Sequence, residues 1–100
     1  MSEAELDRLM NYDDKCYCRP GSVWRRDFMH RWIKIPGGLT VMAVTQQGAV
    51  VGFGCRKPDV RDDRVHFVGP LYADSYDVAA DLLHELTRDI AGHMLNLRIL

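Results

Sequence analysis

This chain of 100 residues has little that leans to one extreme. Its formal net charge is −1, from 13 Lys and Arg against 14 Asp and Glu, so there is no reason to expect nucleic acid or an anionic membrane as partner. No apolar run is long enough to span a bilayer. The first ten residues, MSEAELDRLM, are acidic and have no apolar core of the kind a secretory signal needs. Cysteine is scarce and odd in number: Cys16, Cys18 and Cys55. Cys16-Tyr17-Cys18 has the wrong spacing for a zinc knuckle or a redox pair. Free thiols in a reducing, cytoplasmic compartment are the simplest account. No histidine has a second ligand at metal spacing, so no metal is expected.

What is present suits one small α/β domain with a single core. Ser2 to Met10 reads as a short helix, with Ser2 as N-cap and Glu5 at the capping-box position. Asn11 to Gly21 clusters Asn, Asp, Pro and Gly and reads as a loop. Asp13-Asp14 there are expected to be solvated, with amine binding as the alternative. Ser22 caps a second expected helix to about Ile33. Trp24, Phe28 and Trp32 recur at four-residue steps and are expected in the core. Leu39 to Thr45, a Gln46-Gln47-Gly48 turn and Ala49 to Cys55 read as a β-hairpin, and Lys57 to Arg64 as a charged loop. Val65 to Tyr72 is a third strand. From Asp74 or Ser75 onward, Ala79, Leu82, Leu83, Leu86 and Ile90 form the stripe of a helix that Gly92 is expected to stop. Leu95 to Leu100 is a fourth strand.

The order is α-α-β-β-β-α-β: an antiparallel meander, then a strand after a helical crossover that lies parallel to the third. Gly69-Pro70 breaks the third strand. Proline cannot donate to a ladder, so a bulge or an end of pairing is expected there. The next helix starts at the C-terminal end of that strand, where crossover sheets favour ligands. A cleft beside a splayed strand is one reading; an edge bulge without ligand is the other. The cations at Arg25-Arg26 and at Lys57, Arg61 and Arg64 are interleaved with Asp27, Asp59, Asp62 and Asp63, which reads as a mixed solvated surface, with contact to a ligand phosphate as the alternative.

Arg25 to Trp32 (RRDFMHRW), Val50 to Arg56 (VVGFGCR) and Val68 to Asp74 (VGPLYAD), followed by Ala79, Leu82 and Leu83, resemble the GNAT superfamily of acetyl-CoA-dependent N-acetyltransferases. The wording is most similar to the C-terminal domain of two-domain GNAT proteins. The resemblance runs from about Tyr12 to Leu100. It implies a GNAT-like mixed sheet, incomplete at its C-terminus because the family's last strands would follow Leu100. It implies acetyl-CoA as cofactor, and a small-molecule or peptide amine as substrate. In the superfamily a Q/R-x-x-G-x-G/A loop holds the pyrophosphate on helix N-terminal amides. Its positions fall on Asp74 to Ala79, where only Ala79 fits. Asp74 stands for the amide or cation and Asp77 for the first glycine. Asp74 is also expected to cap the helix by accepting from the Asp77 N–H. The resemblance places the pantetheine against Leu71, Tyr72 and Ala73, and the pyrophosphate against Ser75, Tyr76, Asp77, Val78 and Ala79. It makes His66, on the bulged strand, a candidate general base, and Tyr72 a candidate proton donor, with Tyr76 as a second tyrosine at the turn. A sheet-surface histidine and packing or rim tyrosines are the plainer readings. If the two carboxylates exclude the cofactor, the expected role is a non-catalytic module for substrate recognition, regulation or pairing, beside a second GNAT domain or in a homodimer through the sheet edge.

Overall fold

The computed structural model describes residues 2–16, 23–90 and 92–97. The elements are α1 (Glu3–Cys16), α2 (Val23–Ile33), β1 (Leu39–Val44), β2 (Val50–Pro58), β3 (Val65–Ala73), α3 (Tyr76–Thr87) and β4 (Met94–Leu97). The sheet order is β1-β2-β3-β4; the first three strands are antiparallel, and β4 runs parallel to β3. This is the expected α/β order. The Ser22 cap, Cys18, the Trp24 side chain and the end of the expected fourth strand lie outside the described residues.

Two readings of the first half need correction. α1 begins as expected, with reciprocal Ser2 and Glu5 bonds of 3.1 Å. It does not stop at Met10 but runs six residues further to Cys16. The residues that resembled a loop are held by tertiary partners. Asp13 is fully buried and takes two bonds from the Arg25 guanidinium, at 3.0 and 2.9 Å. Asp14 pairs with Arg26 at 2.6 Å. The inward face of α2 is also rotated from the expected one. Met29 and Arg25 are buried, whereas Phe28 is 36% exposed and stacks on a half-buried Trp32. The buried Asp13 draws Arg25 inward, and the helix turns with it.

Leu6, Leu9, Met10 and Tyr12 of α1 and Met29 of α2 form one core with Phe53 and Cys55 of β2. Burial pushes the Cys55 thiol up to about 11, so it acts as a small hydrophobe. The other face of the sheet carries α3. Leu82 and Leu86 are buried there, with Val68 and Ile90. Two glycines let this helix approach. A Cβ at Gly52 would lie 3.0 Å from both Leu82 and Val78, and one at Gly54 2.8 Å from Leu86. The helix ends at Thr87, with Arg88 as its C-cap, rather than at Gly92. Gly92 instead sits at φ +86 in the turn into β4. β2 also extends to Pro58, into the expected charged loop.

Candidate functional site

The site region is where β3 ends and α3 begins. Gly54 pairs with Leu71 and Arg56 with Val68, so Gly69 and Pro70 together oppose one residue, Cys55. The Gly69-Pro70 peptide is cis. The expected bulge is therefore present, and the Gly69 carbonyl accepts from the Trp32 indole at 2.9 Å. Pairing with β4 covers Val65 to Val68. Beyond the bulge, the side of β3 away from β2 has no partner strand among the described residues. Alternate backbone groups of Leu71, Tyr72 and Ala73 face that open side.

A second bulge aligns the start of α3. Ala43 pairs with Gly52 but Val44 with Val50, leaving Val51 unpaired. Its carbonyl accepts from the Asp74 N–H at 2.9 Å and from the Tyr12 hydroxyl at 3.2 Å. The Tyr12 hydroxyl also donates to Asp74 Oδ1 at 2.7 Å. Burial, with Asp74 beside it, holds the Tyr12 phenol well above its usual range.

Ser75, not Asp74, is the N-cap. Its extended backbone (φ −147, ψ 164) and its Oγ, accepting from the Val78 N–H at 3.3 Å, start the helix. The Ala79 N–H goes to the Ser75 carbonyl at 3.1 Å. The Tyr76 and Asp77 amides are the first-turn donors that this cap leaves unengaged. The expected pair of first-turn carboxylates is reduced to one. Asp74 precedes the cap and its carboxylate is tied to α1; Asp77 alone lies in the first turn.

His66 and Tyr72 are brought to opposite faces of the sheet, because the bulge lies between them. Tyr72 packs on Phe53, ring centroids 5.6 Å apart, and its hydroxyl accepts from Arg25 at 3.4 Å. His66 is buried on the α3 side, its Nε2 2.8 Å from His93 Nδ1. Burial, then Arg56 and His93, lower its pKa. Its Nδ1 and the Arg56 Nε are buried without a hydrogen-bond partner. Arg56 Nη1 reaches the Leu86 carbonyl at 2.7 Å and Asp89 at 2.5 Å. His93 lies in the turn before β4, and His84 is exposed on α3. The Cys16 thiol is raised, chiefly by burial, the opposite of what an activated nucleophile needs. Among the described residues no group of three or more metal-ligating side chains converges.

Tyr12 and Val51 were missed by sequence reasoning, and Arg25, read as part of a solvated surface, is instead buried against Asp13. The available signal was periodicity: Leu6, Leu9-Met10 and Tyr12-Asp13 continue one helical stripe through the apparent loop.

The family model described as "Acetyltransferase (GNAT) domain" matches residues 9–99. None of the curated proteins matches significantly. An aminoglycoside 6'-N-acetyltransferase solved with coenzyme A is similar in fold, with a TM-score of 0.73 and 18% identity over 90% of this chain and 51% of that one. A Trypanosoma brucei acetyltransferase aligns over 100% of this chain and 80% of its own, with a TM-score of 0.70 and 17% identity. A structure from Exiguobacterium sp. 255-15 aligns at a TM-score of 0.59 and 15% identity, over 76% of this chain and 54% of its own. The chain thus spans about half the length of two of these structures. With a mixed sheet bulged at Gly69-Pro70, a helix starting at the end of that strand, and a family match over nearly its whole length, the chain belongs to the GNAT acetyltransferase domain family.

Proposed function

We propose that this domain transfers an acetyl group from acetyl-CoA to an amine. The observation that carries the reading is the join of β3 and α3: an open strand side at Leu71, Tyr72 and Ala73 leads directly to a helix N-terminus with two unengaged amides. A helix start of this kind favours a phosphate, through both its free N–H groups and its dipole. The Tyr12 bond adds to the fit, because it holds the Asp74 carboxylate toward α1.

Leu71, Tyr72 and Ala73 would hold the pantetheine arm. The amides from Ser75 to Ala79 would hold the pyrophosphate. Bound there, acetyl-CoA supplies an acetyl thioester: the C–N bond forms as the C–S bond breaks, one proton leaves the amine and one goes to the departing sulfur. Backbone N–H groups on the open side of β3 would polarise the acetyl carbonyl. Tyr72 is the proposed proton donor to sulfur. Water is the proposed base, because His66 lies on the other face of the sheet against His93. The acceptor is a small-molecule or peptide amine.

Asp77 favours a second reading. An exposed carboxylate in the first turn opposes an anion there. On that reading the domain is a recognition or pairing module beside a second GNAT domain or a second copy, through the β4 edge where Met94 and Leu95 are exposed. Titration with acetyl-CoA, followed by backbone amide shifts from Ser75 to Ala80, separates the two. Saturating shifts are the expected result. A silent spectrum at millimolar ligand would sink the transferase reading.

A further inference from the structure

β4 is a short strand tied down at its start by two histidines. It spans Met94–Leu97 and pairs, among the described residues, with β3 alone. Gly92, His93, Met94 and Leu95 are exposed, and Gly92 turns the chain at φ +86. Two backbone bonds anchor the turn: His93 N–H to the Ile90 carbonyl at 3.0 Å and Met94 N–H to the Arg64 carbonyl at 2.9 Å. An exposed element with so few bonds belongs to the part of a fold that opens first.

The side-chain anchor is the contact of His66 Nε2 with His93 Nδ1 at 2.8 Å. The ring planes are 11° apart and the centroids 5.1 Å. The short contact and the two ring radii account for that separation, so the rings lie edge to edge in nearly one plane. One nitrogen therefore donates straight at the lone pair of the other.

The buried surroundings select which one donates. Among the described residues, His66 Nδ1 and Arg56 Nε are the buried side-chain nitrogens without a hydrogen-bond partner. Arg56 pairs with Val68, two residues beyond His66, so Arg56 and His66 are diagonal neighbours across β2 and β3. The Arg56 Nε always carries its hydrogen, so a bare His66 Nδ1 suits it and an N–H there does not. His66 thus keeps its proton on Nε2 and donates to a bare His93 Nδ1.

An added proton then has no place in the closed pair. On His66 Nδ1 it sets a second cation and a second donor against Arg56. On His93 Nδ1 it sets two N–H groups against each other. Asp89, beyond α3, and Asp63, before β3, favour a proton on His66, but burial, Arg56 and His93 outweigh them. Leu82 and Leu86, the α3 residues buried on this side, bring no charge.

The geometry points to a proton-operated latch: the His66–His93 bond closes β4 onto β3 while both rings are neutral and opens when they are protonated. Opening lifts the turn off His66 and takes up one proton on each ring. It frees Gly92 to Leu97 and extends the open side of β3 back to Val65. The inference stands apart from the transferase reading.

The test follows amide hydrogen exchange of the full chain from about pH 7.5 to about pH 5, corrected for the intrinsic rate at each pH. Met94, whose N–H ends on the Arg64 carbonyl, reports the latch. Its protection should fall about tenfold per pH unit for each proton taken up, and so about a hundredfold per unit once both rings titrate. In His93→Gln the amide oxygen accepts the same bond and does not titrate, so the slope should drop to about tenfold per unit. Position 93 is exposed, and circular dichroism checks that the variant folds. Low urea should reduce the protection of β2 amides and leave that of Met94 unchanged, which marks the opening as local. Equal slopes in the two proteins overturn the latch, because burial of His66 alone would give them. Met94 protection that is flat with pH, or that follows urea as β2 does, overturns it as well.

Discussion

The Tyr12 hydroxyl reaches Asp74 Oδ1 at 2.7 Å across 62 residues of chain. It joins the first helix to the residue just before the N-cap of the third. Its single O–H is shared, at a longer 3.2 Å, with the carbonyl of Val51, the extra residue in β2. Three elements are thereby set relative to one another at the start of the proposed anion site. Tyr12→Phe should cost about 0.5–1.5 kcal/mol of stability, read as a lower urea midpoint. It should also weaken acetyl-CoA, because the freed Asp74 carboxylate can turn toward the first turn of α3. A variant with lowered stability and unchanged affinity would show that the bond serves the fold alone.

Asp77→Gly addresses the remaining first-turn acid. Removing a carboxylate there costs the helix about 0.3–1 kcal/mol through its dipole. The same change should tighten acetyl-CoA. Asp77→Asn separates charge from backbone freedom: if it recovers the whole gain, repulsion is the defect; if only glycine does, close approach is.

The buried pair Asp13 and Arg25 should be sensitive to losing one member and tolerant of losing both. Asp13→Ala leaves a guanidinium inside and should cost about 3–5 kcal/mol, whereas Asp13→Leu with Arg25→Met should recover much of it. Chemical denaturation of the two variants gives the comparison. A double variant as unstable as the single one would mean that the network reaching Tyr72, not the isolated charge, dominates.

Half of this layout was legible in the residues. The hairpin, the broken third strand and the amphipathic third helix each declare themselves through period or through glycine and proline. The length of α1 did not, because Asn11, Asp13 and Asp14 are turn formers by local preference. What overrides that preference is an arginine at position 25, and local reading has no access to a partner 12 residues away. The rotated face of α2 has the same origin. The site was legible at Gly69-Pro70 and Ser75. It was illegible at Tyr12, whose role needs the fold to bring Asp74 near.

His66 gives the stability a pH dependence of known sign. Burial lowers its pKa below the usual 6.5, so the folded protein holds fewer protons than the unfolded chain just below that value. Stability should therefore fall as pH drops through 6.5 and level off below the folded pKa. His66→Phe should flatten that part of the profile, measured as thermal midpoint against pH. His93 faces the ring from the β4 turn, and Arg56, Asp89 and Asp63 lie around it. A profile unchanged by the substitution would assign the dependence to those neighbours.

Gly52→Ala tests the close contact of β2 and α3. The added methyl would meet the Tyr72 carbonyl at 2.8 Å, with Leu82 and Val78 at 3.0 Å. A backbone atom cannot rotate away, so a loss of about 1–3 kcal/mol is expected in urea unfolding. A neutral result would show that β3 shifts freely at this point.

Trp32 has a value beyond packing. Its indole N–H ends on the Gly69 carbonyl, and the Lys57 ammonium lies 4.1 Å from its ring centroid. The chain has only one other tryptophan, Trp24. With Trp24→Phe, the fluorescence of the protein comes from an indole bonded to the bulge itself. Any ligand that re-spaces β3 must alter that hydrogen bond or the distance to the ammonium. The strand next to the proposed cofactor path thus carries its own optical gauge, and binding there can be followed without a label.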